Sequence, residues 1–122
     1  MKIRNGFVSN SSSSSFVVVV GKHDHDKAVE RLHPYYREWL KIRIYPGMKK
    51  QEFNGQDVLV IYAYFSSEDD EPIDFKGEYP KEADDRDDLC DGLKMIPQDD
   101  CMNEYINELE KVTKNVIVII GD

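Results

Sequence analysis

The run Lys22-His23-Asp24-His25-Asp26 places two imidazoles and two carboxylates within five residues. Neutral imidazole nitrogens and carboxylate oxygens suit zinc or manganese. If the valine run before it continues as a strand, alternation puts His23 and His25 on one side. Glu68, Asp69 and Asp70 follow a second apolar run. With both runs parallel, they would meet the histidines at the carboxyl ends of strands, where open α/β folds hold ligands. The chemistry would be that of a divalent-metal-dependent hydrolase or nuclease using His23, Asp24, His25 and Asp69. The plainer reading makes Gly21 to Asp26 a solvated turn, with Asp24 and Asp26 capping a helix.

A second concentration of charge lies further on. The chain of 122 residues has a formal charge of −8, unevenly spread. Residues 1–65 carry 10 basic and 6 acidic side chains; residues 66–104 carry 4 basic and 15 acidic ones. Phosphates would be repelled by the acidic stretch, which excludes nucleic acid as its direct partner. A basic protein surface or a cation fits it, with Glu68, Asp69, Asp70, Glu71, Asp84, Asp85, Asp87 and Asp88 as the contact residues. Asp87, Asp91 and Gly92 match the first, fifth and sixth positions of an EF-hand loop. Leu89 and Gln98 stand where the third and twelfth ligands belong, so that motif fails where bidentate ligation matters. An irregular calcium site on Asp84, Asp85, Asp87 and Asp88 would be the remaining cation reading. No cofactor is required by any motif.

Other chemistry finds little support. No G-x-S-x-G, Walker-type loop, H-E-x-x-H or C-x-x-C occurs. Cys90 and Cys101 lack metal-ligand spacing. His33, next to Pro34, suits helix packing. Tyr35, Tyr36, Trp39 and Tyr45 suit a core.

Three apolar runs must position whatever site exists. Phe16 to Val20 has no polar alternation and predicts a strand buried on both faces. In Asp57 to Phe65 the even positions Val58, Val60, Tyr62 and Tyr64 oppose Leu59, Ile61, Ala63 and Phe65, predicting a central strand. Val116 to Ile120 predicts a third. Between the first two, Val29, Leu32, Tyr36, Trp39 and Leu40 recur at helical spacing from an N-cap at Asp26, with Pro34 kinking one helix or opening another. Ile42 and Ile44 alternate with Arg43 and Tyr45, suggesting an edge strand near 41–45. Pro46-Gly47 and Asn54-Gly55 are turn signals. Residues 66–98, with three prolines and no periodicity, predict a long acidic surface loop with one helical turn near Lys81 to Leu93. A helix capped at Asp99 or Asp100 carries Met102, Tyr105, Ile106, Leu109 and Val112. The expected fold is therefore one α/β domain over 1–122, with parallel pairings, helices on the sheet, and a flexible Ser-rich segment over 1–15.

KIRNGFVSNSSSSSFVV, Lys2 to Val18, resembles an N-terminal cassette of small uncharacterised bacteriophage and bacterial proteins. The resemblance covers about the first eighteen residues and implies an origin without a biochemical role. VVVVGKHDHDKAVERL, Val17 to Leu32, is similar to the opening of a Toprim domain, as in topoisomerases, primases and small nucleases. Gly21, Lys22 and Asp24 fit that pattern, but Val20 stands at the catalytic glutamate's position. No D-x-D follows the second strand, which runs into Ser67-Glu68-Asp69.

The function expected from these features is that of a small non-enzymatic, phage-derived accessory protein. It would act by protein–protein binding through its acidic surface, in the host cytoplasm. The alternative is the metal-dependent hydrolase or nuclease, a degenerate Toprim-like enzyme. Self-association through an exposed edge strand at Lys41 to Tyr45 is a third reading. No apolar run reaches the roughly 20 residues of a membrane span, and no membrane partner is expected.

Overall fold

The computed structural model describes residues 2–5, 13–66, 73, 75–85 and 94–121. The valine run forms the middle of β2 (Ser13–Gly21), and Val116–Gly121 forms β7. The long apolar run is β4 (Gln56–Ser66), joined by a hairpin to β3 (Lys49–Phe53). Asn54 and Gly55 make that turn with φ of 51° and 79°. Both are left-handed, the conformation a two-residue hairpin needs and Asn-Gly supplies at least cost. With β1 (Lys2–Asn5) these strands build one five-stranded sheet in the order β1-β7-β2-β4-β3.

The α/β class and the pairing of the three apolar runs are as expected. The direction of pairing is not. β2 runs antiparallel to both β4 and β7, and the parallel pair is β1 with β7. The link from β4 back through a helix to β7 skips β2 and returns on its far side, so β2 lies between its two antiparallel neighbours.

Helix α1 (Lys22–Arg31) starts directly after Gly21, four residues before the expected cap at Asp26. Pro34 opens a second helix, α2 (Pro34–Arg43), and His33 caps it: its Nδ1 accepts from the Tyr35 N–H at 3.0 Å. Proline at the first helical position forfeits no intrahelical bond there. The expected edge strand near 41–45 does not form, because this stretch is the end of α2 and a 3₁₀ turn at Tyr45–Gly47. Leu40 and Ile44, one helical turn apart, are both buried, so the helical period prevails over a four-residue alternation. The edge is taken instead by β3, whose five residues are all exposed. Helix α3 (Gln98–Val112) is preceded by Pro97, with Asp99 and Asp100 inside its first turn rather than at its cap. Acids there suit the positive end of the helix dipole.

All the buried sheet residues lie on one face. Phe16, Val18 and Val20 meet Leu59, Ile61 and Phe65 on one side and Val116, Val118 and Ile120 on the other. They pack under Ala28, Trp39, Leu40, Tyr105, Ile106 and Leu109 of the helices. The protein thus has one helical layer on one sheet face, and β2 is not buried on both sides: Val17 and Val19 are half-buried on the opposite face.

Two expected loop regions carry more structure than their sequence suggested. Ser13 to Ser15, placed in the flexible 1–15 segment, are the first residues of β2. Within 66–98, Ile73, Ala83, Met95 and Ile96 are buried, and β5 (Asp84–Asp85) pairs antiparallel with β6 (Lys94–Met95). Residues 81 and 82 form a turn.

Candidate functional site

The cluster that suggested metal chemistry is reorganised by the early start of α1. Each helical residue turns about 100°, so His23 and His25 are about 200° apart and face opposite ways. His23 is exposed; His25 is 4% exposed. The expected convergence of the two rings depended on an extended backbone, and Gly21 ends it.

Inside the protein His25 is held by two phenols. Its Nδ1 lies 2.6 Å from the Tyr105 hydroxyl and its Nε2 lies 3.2 Å from that of Tyr45. Both rings also meet it edge-on. A neutral imidazole offers one donor and one acceptor, and a hydroxyl can serve either. Burial pushes His25 below its ordinary value, favouring that neutral form. Burial also raises Tyr105 and Tyr45, so both phenols keep their protons. The arrangement is a satisfied polar contact within the core, formed by α1, α3 and the 3₁₀ turn.

The exposed remainder lines an open groove of roughly 580 Å³ where β2 ends, α1 starts and β4 begins. Lys22, His23, Asp24, Asp26, Gln56 and Asp57 line it with Gly21. Lys22 Nζ binds Asp26 Oδ2 at 2.8 Å, and that contact, reinforced by Asp57, raises the lysine. Asp57 is also 3.6 Å from Lys50 Nζ. Two of its carboxylates therefore already have lysine partners. Among the described residues no group of three or more His, Cys, Asp or Glu side chains is arranged to hold a metal ion. Asp69, the fourth expected ligand, lies outside the described residues.

The acidic stretch is fastened to the helices rather than hung from them. Phe75 and Tyr79 pack on Tyr35 with ring centroids 5.5 and 5.7 Å away, and Tyr35 receives the Ile96 N–H on its hydroxyl at 3.4 Å. Burial pushes the Tyr35 phenol up to about 12. Burial raises Tyr36 too, assisted by the negative charges of Glu82 and Glu104. Those two acids come from distant points of the chain, so the fold gathers negative charge at the α2–α3 side. Of the eight expected contact residues, Asp84 and Asp85 lie in β5. Glu68, Asp69, Asp70, Glu71, Asp87 and Asp88 lie outside the described residues, as do the EF-hand-like positions 87–92.

Sequence reasoning missed the anchoring aromatics because isolated Phe75 and Tyr79 carry no period. It also missed His25 as a core residue. Its signal was available, since His25, Ala28, Val29 and Leu32 are spaced i, i+3, i+4 and i+7. Cys101 is buried, with its Sγ 3.7 Å from the Ile96 carbonyl oxygen, as an ordinary thiol would be.

Comparison of the chain with protein-family models, curated proteins and solved structures returned no match. Among the described residues no helix is long and apolar enough to cross a membrane.

Proposed function

We propose that the protein is a non-enzymatic accessory protein that binds a basic surface of another protein through its 66–104 stretch. The observation carrying this reading is the fastening of that stretch: Ile73, Phe75, Tyr79, Ala83, Met95 and Ile96 pin it to the core at several points. Anchors along the stretch shorten the free chain between them, which lowers the ordering cost of docking compared with a free tail. Fifteen carboxylates in the stretch would steer a basic partner and speed encounter. The resemblance of Lys2 to Val18 to the phage cassette supports looking for that partner in a host cell's cytoplasm.

The metal-dependent reading, on His23, Asp24, His25 and Asp69, would need the two rings to converge. His23 and His25 diverge, and Lys22 already engages Asp26.

Capture from a bacterial lysate on immobilised protein, at low and at high salt, tests the proposal. One or a few basic proteins should be enriched at low salt and released as salt rises, because exposed charges are screened. No enrichment at low salt, or capture indifferent to salt, would sink it. Hydrolysis of a nucleic acid with manganese present would return the enzyme reading.

A further inference from the structure

The sheet face away from the helices is apolar, open and almost without charge. Its outward positions on β2, β4 and β7 include Val17, Val19, Val60, Tyr62, Tyr64 and Ile117, in cross-strand register: Val17 opposes Tyr62, and Val19 opposes both Val60 and Ile117. Tyr62 and Tyr64 are each 66% exposed and Ile117 43%. Phe53, on the same face of β3, is 65% exposed. Across the outward positions of β2, β3, β4 and β7 the one charged residue is Lys49.

A sheet with apolar residues on both faces needs a layer on each. Here the helices supply one. We propose that a second copy of this chain supplies the other, the two open faces stacking about a two-fold axis into a sheet-on-sheet sandwich.

Charge selects that occupant. In a protein with a net charge of −8, an approach through the described outward positions of β2, β3, β4 and β7 brings no carboxylates together. A basic partner would find nothing here to pair with. A nucleic-acid strand would find aromatic rings for its bases but a single lysine for its phosphates, too little for a backbone-tracking groove. An identical neutral, β-branched and aromatic face is complementary in polarity. An isologous contact also sets the same patch against itself.

Area agrees. Strands β2, β3, β4 and β7 hold 9, 5, 11 and 6 residues, and at about 3.3 Å along and 4.8 Å across per residue their whole flat face is on the order of 400–500 Å² per copy. The pair would bury about 1,000 Å² before side-chain relief is added, the lower bound for a specific interface.

The inference is independent of the acidic stretch, and its test separates the two. Sedimentation of the full chain across a concentration series should give a dimer that does not weaken as salt rises, since screening relieves the repulsion of two copies each of net charge −8. The double substitution Tyr62→Lys, Tyr64→Lys should weaken it about 100-fold or more, with the circular dichroism spectrum nearly unchanged and the urea midpoint nearly unchanged when both proteins are compared as dilute monomers. Should that variant not fold, Ile117→Lys on the other side of β2 carries the same test. A wild type that sediments as a monomer throughout overturns the inference. So does a dimer that survives the substitutions in folded protein, which would place the contact elsewhere. Quenching of tyrosine fluorescence by a single-stranded oligonucleotide, with the protein monomeric, would assign the face to nucleic acid instead.

Discussion

Val18 and Val19 are chemically identical neighbours in the centre of one strand, and they belong to different worlds. Val18 is fully buried under the helices, while Val19 is half-buried on the open face. The same division runs through β4, where Ile61 is enclosed and Tyr62 stands in solvent. The strands are equally apolar on both sides, yet one helical layer covers only one of them. The comparison teaches that a run of valines declares how apolar a strand is, and leaves open how many layers will cover it.

The strongest way to break the comparison is to put the same charge on each side. Val18→Asp would bury an unpaired carboxylate and should cost more than about 4 kcal/mol. Against a typical total of about 5–15 kcal/mol, that is severe destabilisation, and near-unfolding at the low end of the range. Val19→Asp should cost the monomer about 1–2 kcal/mol, because without a second copy its side chain can reach water at the open face. Urea unfolding of both variants measures the difference. Equal destabilisation would mean that the open face is as enclosed as the core. Hydrogen exchange should agree, with the slowest amides in β2, β4 and β7.

His25 sharpens the contrast on the covered side, since it is a buried imidazole and Val19's face carries no histidine at its outward strand positions. His25→Ala removes a buried ring and leaves the Tyr105 hydroxyl without its partner, for a cost of about 3 kcal/mol. The pH dependence follows from the lowered value of His25 in the folded protein. Between the unfolded value near 6.5 and the lower folded one, the unfolded chain binds more protons. The stability His25 contributes is therefore fully present above about pH 6.5 and is lost as pH falls from there through the folded value. The groups facing it are Tyr105 on α3, Tyr45 in the 3₁₀ turn, and Asp26 and Lys22 on its own helix. Urea midpoints at several pH values should fall below pH 6.5 in the wild type and fall less in His25→Ala. Parallel curves would show that His25 charges freely in the fold.

The rim between α1 and α3 should respond more weakly. Glu108 is buried, and Arg31 Nε at 2.8 Å and Lys111 Nζ at 3.1 Å hold its carboxyl below the usual range. Its contribution is present above its unfolded value near 4.5 and disappears as pH falls through the folded one. Both cationic partners are more than half exposed, so Arg31→Ala should cost only about 1 kcal/mol. A Glu108→Gln variant with an unchanged acid-unfolding profile would show that the pair adds nothing.

Much of the covered side was legible in the sequence, and little of the open side. The runs at 16–20, 58–65 and 116–120 announce themselves because β-branched residues suit a pleated, buried surface, and Asn54-Gly55 announces its hairpin. Pro34 marks a helix boundary for a covalent reason, its missing N–H. By contrast, β3 is Lys-Lys-Gln-Glu-Phe, exposed throughout, so no apolar alternation could reveal it. The metal cluster misled because His23 and His25 satisfy a two-residue period and hide the helical one that His25 shares with Ala28. Phe75 and Tyr79 anchor the acidic stretch through contacts with Tyr35, some forty residues earlier, and no local pattern encodes such a distance.

The smallest expected effect concerns the acid-rich stretch, which differs from the open face in carrying charge where that face carries almost none. Changing Asp84, Asp85, Asp87 and Asp88 to Asn should leave the melting temperature unchanged or slightly raised, because clustered like charges repel and their removal relieves the fold. Partner capture should weaken in the same variant, mainly through slower association, while the proposed dimer should not weaken because no acid lies at the described outward strand positions. Calcium supplies the rival outcome. If the stretch binds calcium, adding the ion should raise the wild-type melting temperature by favouring the folded state, and the variant should not respond. Equal melting temperatures with and without calcium, together with equal capture by both proteins, would leave the stretch as solvated chain. The dimer would then be the protein's one specific contact. Loss of capture with the dimer intact would instead assign the two surfaces separate tasks, with charge choosing the partner and the uncharged sheet face joining the copies.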